Sequence, residues 1–332
     1  MTRRPAVWAL LLLLLSAATA QAQDVRWTMA NEYPATSIQG EADARFAKEV
    51  SERTGTRIQI TNQYDASSGF KSREMVDAVA KNAVPVANAY MGALGQVDSV
   101  FLLPSLPFLA ATPEQAQVLA QIARPAYEAI LEKHNQKLLY LSPWPAAGLW
   151  AGKPIDTVQA LRGLRIRTAD ANGVAAFKAA GAAPVQISFA DAIPQLKAGQ
   201  LDAVLSSGDG GAGQLLMETL KHFTQIDYAV TMSVVTLNAD AWNALDDDLQ
   251  RAVLAAASIV EARQWDVLKT RVAANYKAMR DAGVTITTEL TPEYRAALRK
   301  AGQGVVSDWA RAMGPTGDEI LATYRSRLEA AR

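Results

Sequence analysis

The sequence of 332 residues contains no cysteine. That absence excludes disulfides, thiolate catalysis, cysteine-ligated zinc and a lipid anchor on a leading cysteine. A chain of this length can bury enough apolar surface to fold without covalent staples. Histidine is nearly as scarce. His134 and His222 are the only two, they lie far apart, and neither has a partner at metal-ligand spacing. Both are assigned to helical or loop surface. The chain has no Gly-x-Ser-x-Gly elbow and no Gly-x-x-x-x-Gly-Lys-Ser/Thr loop. It therefore shows neither a hydrolase nucleophile nor a nucleotide phosphate cradle, and no cofactor is expected. Net charge is lacking too, with 33 basic residues against 33 acidic ones, so nucleic acid and anionic lipid exert no general attraction.

Long apolar runs are absent except at the start. Met1-Thr2-Arg3-Arg4 leads into an apolar stretch from Ala6 to about Ala18, closed by Ala20-Gln21-Ala22. A basic start, a short apolar middle and an Ala-x-Ala end form a secretory signal peptide, with cleavage expected after Ala22. The run falls short of the roughly 20 residues that span a bilayer. Losing Arg3 and Arg4 with the leader would leave 31 basic and 33 acidic residues, a net charge of −2. The expected mature protein is periplasmic, is not membrane-embedded, and is long enough for two lobes.

The remaining pattern alternates strands and helices. Val25–Ala30, Arg57–Thr61 and Val84–Ala89 read as strands. Ile38, Ala42, Phe46 and Val50 recur at helical spacing up to Gly55, and Ser72 is placed as the N-cap of a helix carrying Met75, Val76 and Val79. This β-α-β-α-β order implies a parallel sheet with helices on its faces. The middle repeats the logic: strands at Lys137–Leu141, Leu164–Thr168, Pro184–Ile187 and Leu201–Leu205, and helices at Asn172–Ala180 and Asp191–Ala198. Val230–Leu237 is a β-branched run long enough to cross between lobes. From Asp246 one helix runs to about Ala282, long enough to brace both lobes, and two shorter helices open at Thr291-Pro292 and Thr316-Gly317. The fold class is α/β: two interleaved lobes of the periplasmic-binding-protein type, a ligand cleft between them and a long bracing helix. Residues 1–22 are assigned to the leader, 23–145 mostly to lobe one and 146–232 mostly to lobe two. Residues 233–332 are assigned to a crossing strand, the brace and C-terminal helices packing on both lobes.

Arg167 is the residue that points to chemistry. Alternation along Leu164-Arg165-Ile166-Arg167-Thr168 sends Arg165 and Arg167 to one face. An arginine on a strand of an otherwise apolar, neutral domain costs desolvation energy unless an anion meets it. Its planar fork suits a single carboxylate. Arg165 is assigned to the surface. Ser206, Ser207, Gly208 and Asp209 follow a strand's C-terminal end, where open α/β sheets bind ligands. A plain glycine-rich turn is the other reading of that stretch. Asn31, Glu32, Tyr33 and Ser37 occupy the loop after the first strand, with Ser37 alternatively a helix cap. Tyr90 and Met91 follow the third strand, and Asp227 and Tyr228 precede the β-branched run, where the aspartate alternatively sits in a surface turn.

The order of several segments resembles the periplasmic solute-binding subunits of TRAP (tripartite ATP-independent periplasmic) transporters across nearly the whole mature chain. The resemblance rests on Phe46–Val50 up to Gly55, Ser72-Arg73-Glu74-Met75, Leu103–Leu109, and Lys153-Pro154-Ile155 through Arg167. It continues in Gly181–Pro184, Gly199-Gln200-Leu201-Asp202 and Trp242–Leu249. It implies a two-lobed receptor that closes on an organic acid and delivers it to integral membrane permease subunits, with Arg167 as partner of the ligand carboxylate. Many members carry a second arginine before the Lys-x-Pro-Ile segment, but Trp144–Ala151 contains none. A family asparagine is replaced by Ser206, and a glutamate by Asp191. These departures favour a monocarboxylate with a hydroxy, keto or aromatic far end over a dicarboxylate. Trp144 and Trp150, flanking the stretch without arginine, are candidate aromatic walls. Two other readings stay open from the residues alone. One is a binding protein of an ABC importer or a sensor. The other is an exported hydrolase or lyase using Glu32, Asp209 or Asp227.

Overall fold

The computed structural model describes residues 24–331, so the expected leader lies outside the described residues. The first lobe starts with β1 (Val25–Asn31), α1 (Ile38–Arg53), β2 (Ile58–Gln63), α2 (Met75–Ala80) and β3 (Val86–Tyr90). It continues through α3 (Pro113–Lys133) to β4 (Gln136–Pro143). The second lobe runs β5 (Gly148–Ala151), α4 (Val158–Leu161), β6 (Arg165–Thr168), α5 (Ala171–Ala179), β7 (Ala183–Gln186) and α6 (Phe189–Lys197). It is completed by β8 (Ala203–Ser206), α7 (Gly210–Met217) and β9 (His222–Thr224). The chain then returns through β10 (Met232–Asn238) and α8 (Ala239–Asn243), and α9 (Asp247–Asp281) follows. Last come β11 (Thr285–Thr287), α10 (Pro292–Met313) and α11 (Pro315–Ala330).

Each lobe is built on one mixed sheet. The first has the order β2-β1-β3-β10-β4 and the second β11-β9-β5-β8-β6-β7. The parallel arrangement expected from sequence holds for β2, β1 and β3. It breaks at β10, which runs antiparallel to both β3 and β4. That strand also narrows the reading of Val230–Leu237 as a crossing strand, of which only Val230 and Thr231 lie in the crossing. β10 lies wholly inside the first sheet, and the crossing is made by the residues before it. There Trp144 donates to the Thr231 carbonyl at 2.8 Å, Ala147 to Ala229 at 3.1 Å, and Tyr228 back to Ala147 at 2.9 Å. These two extended crossings are thus hydrogen-bonded to each other, side by side, and α9 makes a third.

Local chemistry explains most of the elements. On α1, Ile38, Ala42, Phe46 and Val50 form the buried stripe, and the Ser37 hydroxyl accepts from the Gly40 N–H at 3.1 Å. Ser72 is not the cap that was expected. It lies inside a 3₁₀ turn, Ser72–Glu74, and its hydroxyl accepts from the Tyr90 N–H at 3.2 Å. α3, on which the sequence reading is silent, opens with a Thr112/Gln115 capping box. α9 is 35 residues long, about 52 Å at 1.5 Å per residue. Its contacts with α1 and β4 on one side and α7 and β11 on the other make it the brace. Its first half closes a core of Trp27, Met29, Phe46, Val235, Val253 and Val260 under the first sheet.

Candidate functional site

β6 lies between β7 and β8, parallel to both, with Arg167 opposite Val185 on one side and Val204 on the other. Arg165, at the exposed start of this strand, is held by the Asp202 carboxylate through Nε at 2.9 Å and a terminal nitrogen at 2.6 Å. Arg167 is different. It is 3% exposed, its Nε donates to the Ile187 carbonyl at 2.8 Å, and it joins no ion pair among the described residues. Its guanidinium carbon lies 5.8 Å from the Phe189 ring centroid. Burying a guanidinium without an anion is costly, so the position asks for a negatively charged guest.

That guest has a place. Arg167 lines a cavity between the lobes, with Tyr33, Tyr90 and Trp144 from the first lobe and the crossing, and Asp170, Phe189, Ser206 and Ser207 from the second. The cavity encloses about 520 Å³, so the guest must be small. Tyr33 packs against Trp144 at 4.7 Å and against Phe189 at 5.3 Å between ring centroids. The Trp144 indole N–H donates to the Ser233 hydroxyl at 3.0 Å, which fixes that wall. Among the lining residues Arg167 is the one cation.

The polar groups facing this space are set by burial. Asp170 caps α5 through the Gly173 N–H at 2.9 Å and accepts from the Tyr90 hydroxyl at 2.7 Å. Burial raises its carboxyl above the usual range, while the Gly173 amide, Tyr90, Ser105 and Arg167 pull it back. The Tyr33 phenol is pushed well up by burial and by Glu32, with Arg167 acting against both. Tyr228 lines the cavity, and its buried hydroxyl has no partner among the described residues. Such an orphan suits a polar atom of a ligand.

An outer cavity of about 1110 Å³, roughly twice the inner one, adjoins the first. It shares Tyr33, Tyr90, Arg167, Ala169 and Phe189 with it, and adds Glu32, Ser72, Arg73, Gln186 and Ser188.

The structure sorts the residues singled out in the sequence. Arg167, Tyr33, Tyr90, Trp144, Ser206, Ser207 and Tyr228 converge on the inner cavity. Trp150 does not. It is fully buried against Phe223 at 5.1 Å, and its indole N–H has no partner. Gly208 is the surface it packs on: a methyl group there would overlap the indole, and φ is +66°. Asp209 turns away from the cleft, fully buried, accepting from Arg271 Nε at 2.7 Å, Asn275 at 2.7 Å and the Ile38 N–H at 2.6 Å. Asn31 donates to Asp43 at 2.6 Å and accepts from the Tyr33 N–H at 2.8 Å, so it shapes the loop that delivers Tyr33. Ser37 is the helix cap, and Met91 is fully buried and lines neither cavity. Glu32 faces the outer cavity with both oxygens taken by main-chain amides. Asp227, at φ +48° and bonded by the Gln225 side chain, lines a separate cavity behind the crossing.

Asp170 and Phe189 escape the sequence reading. Both follow the C-terminal ends of strands, β6 and β7, and the strand-end rule applied to every strand would have found them.

Residues 29–312 match the model of a family described as bacterial extracellular solute-binding protein, family 7. The chain is similar to a Bordetella pertussis extracytoplasmic solute receptor whose crystal structure binds pyroglutamic acid: 27% identity, TM-score 0.86, covering 91% of this chain and 100% of that one. It is similar to a TRAP solute-binding protein from a marine metagenome, specific for pyroglutamate, with 25% identity and TM-score 0.86, covering 92% and 99%. The C4-dicarboxylate-binding periplasmic protein of Rhodobacter capsulatus is 24% identical over 299 residues, 88% of this chain and 85% of that one.

Proposed function

The chain belongs to the extracellular solute-binding proteins of family 7, the receptors of TRAP transporters, and from that membership we propose that it captures a small organic monocarboxylate in the inner cavity. The exported protein would close its lobes on the acid and carry it to a TRAP-type permease. One observation carries the reading: a buried guanidinium with no ion-pair partner among the described residues is the one cation on the wall of a small, aromatic-lined cavity. One fork takes one carboxylate. A second carboxylate would find no cation at the far end, whereas a carbonyl, hydroxyl or ring N–H would meet Tyr228, Ser206, Ser207 or Asp170. The aromatic rings of Tyr33, Trp144 and Phe189 flank a space suited to a compact ring. Pyroglutamate, a five-membered lactam with one carboxylate, has this shape and this distribution of polarity, and three of the structural relatives bind it.

The mechanism follows from the two crossings. Lobe rotation about paired segments near residues 144–147 and 228–231 brings Tyr33 and Tyr90 against Arg167 and Phe189 and removes water from the ion pair. Desolvation strengthens the charge contact only once the lobes meet, which couples binding to closure. A thermal-shift screen tests the reading with pyroglutamate, lactate, phenylacetate, succinate and malate. Monocarboxylates, pyroglutamate among them, should raise the melting temperature by mass action, and the two dicarboxylates should not. Stabilisation by the dicarboxylates alone would overturn the monocarboxylate assignment.

A further inference from the structure

Glu32, in the loop after β1, is 3% exposed. Its Oε2 accepts from the Ser72 N–H of the first lobe at 2.9 Å, and its Oε1 accepts from the Ala190 N–H of the second at 3.2 Å. A single carboxylate therefore spans the cleft at its mouth. Beside it, Lys71 Nζ of the first lobe donates to both oxygens of Asp191 in the second, each at 2.8 Å, in a part-exposed pair. Both ties end on the first turn of α6, just past the Ser188 cap. That turn carries Phe189, which packs on Tyr33 and covers the Arg167 guanidinium.

We propose that Glu32, seconded by the Lys71–Asp191 pair, is a positioning residue for ligand retention: it docks the first turn of α6 onto the opposite lobe and so holds Phe189 over the acid at Arg167, without touching the acid. The proposal rests on the binding reading of the cleft. Glu32 is the stronger of the two ties. A buried carboxylate accepting from two amides gains more than a pair with a quarter or more of each side chain exposed, where solvent screens the attraction. Both ties form only when the lobes meet. Their loss should therefore speed opening and leave capture unchanged. A residue touching the ligand would weaken different acids by different factors. A docking residue weakens all of them by the same factor.

The probe is pyroglutamate, followed by stopped-flow fluorescence of Trp144 and checked with lactate. Glu32→Gln keeps one acceptor oxygen and presents an amide N–H to the other donor. It should raise the dissociation rate about tenfold for both acids, with the association rate within about twofold. Asp191→Asn, which leaves the buried loop intact, should raise it about threefold, and exchanging the charges as Lys71→Asp with Asp191→Lys should recover the loss. Because the chain has no cysteine, spin labels at Lys81→Cys and Lys178→Cys, both exposed and in different lobes, report the inter-lobe distance without a ligand assay. Glu32→Gln should move that distribution to longer distances. Unchanged dissociation and an unchanged distribution in Glu32→Gln would overturn the docking role while leaving the binding reading intact. Failure of wild-type protein to bind any acid, with the distribution still shifted, would overturn the binding reading and leave the docking role standing.

Discussion

Arg167 differs from its near neighbour Arg165 in one physical respect: what answers its charge. Asp202 answers Arg165 at the surface, whereas the fold buries Arg167 among aromatic rings and pairs only its Nε, with a carbonyl. Alternation put both on one face and could not tell them apart; the difference lies in strand position, since Arg165 stands at the solvent end of β6. The same limit applies to the tryptophans. Trp144 in the crossing and Trp150 on β5 are equally apolar and equally buried, and only the packing of Phe223 and Gly208 directs Trp150 into the core. Arg167→Ala should weaken pyroglutamate binding by about 3 kcal/mol, roughly a hundredfold, because a desolvated charge pair loses one member. Arg167→Lys should recover little of it, since an ammonium cannot present two parallel N–H donors. Titration calorimetry of both variants gives the comparison, and affinity within threefold of wild type in either would count against the assignment of that role to the fork.

Elements with a strong period were legible from sequence: α1, the long α9 and the parallel strands β6, β7 and β8 fall where spacing and caps put them, whereas β5, β9 and β11 went unread. α7 was not, and the cause is specific. The run from Ser206 through Gly210 and Gly211 reads equally as a glycine-rich turn, but side chains at those two glycines would strike Thr36 and Pro34 of the first lobe. These glycines permit close approach of a helix to the opposite lobe, a requirement visible only in three dimensions. The same approach explains Asp209. Placed just before α7, it receives Arg271 and Asn275 from α9 and the first N–H of α1, so one carboxylate fastens three helices. Arg271 reaches on to Glu41 at 3.0 Å and to the Thr36 carbonyl at 2.7 Å. Asp209→Ala would strand a half-buried guanidinium and two amide donors, and should cost about 3 kcal/mol of unfolding free energy in urea titration. A loss under about 1 kcal/mol would mean that solvent or Glu41 replaces the carboxylate.

At the scale of the molecule, the two-lobed plan was visible because each half repeats the strand–helix alternation. The mixed sheet was not, because β10 returns from beyond the second lobe to insert between β3 and β4, a pairing no local pattern encodes. The insertion makes the first lobe depend on the chain having completed the second, so the parts share one stability, and buried carboxylates from both contribute to its pH dependence. Burial pushes Asp43, held by Asn31, Asn88 and Tyr140, up to about 7, and raises Asp170 and Glu261 as well. Such groups bind more protons folded than unfolded once pH exceeds the ordinary carboxylate range near 4. Their stabilisation is therefore complete at lower pH and is lost as pH rises, for Asp43 up to about 7. Asp191, Asp202, Asp246 and Asp266 are held low by lysine, arginine or backbone partners and act in the opposite sense, losing stabilisation below pH 4 or so. They are largely exposed and screened, so the buried set should dominate near neutrality. The melting temperature followed by circular dichroism should then fall by several degrees between about pH 5 and pH 7.5. Asp43→Asn, which cannot ionise, should show a distinctly shallower fall whatever its absolute stability. Parallel slopes for the variant and the wild type would place the titrating group elsewhere.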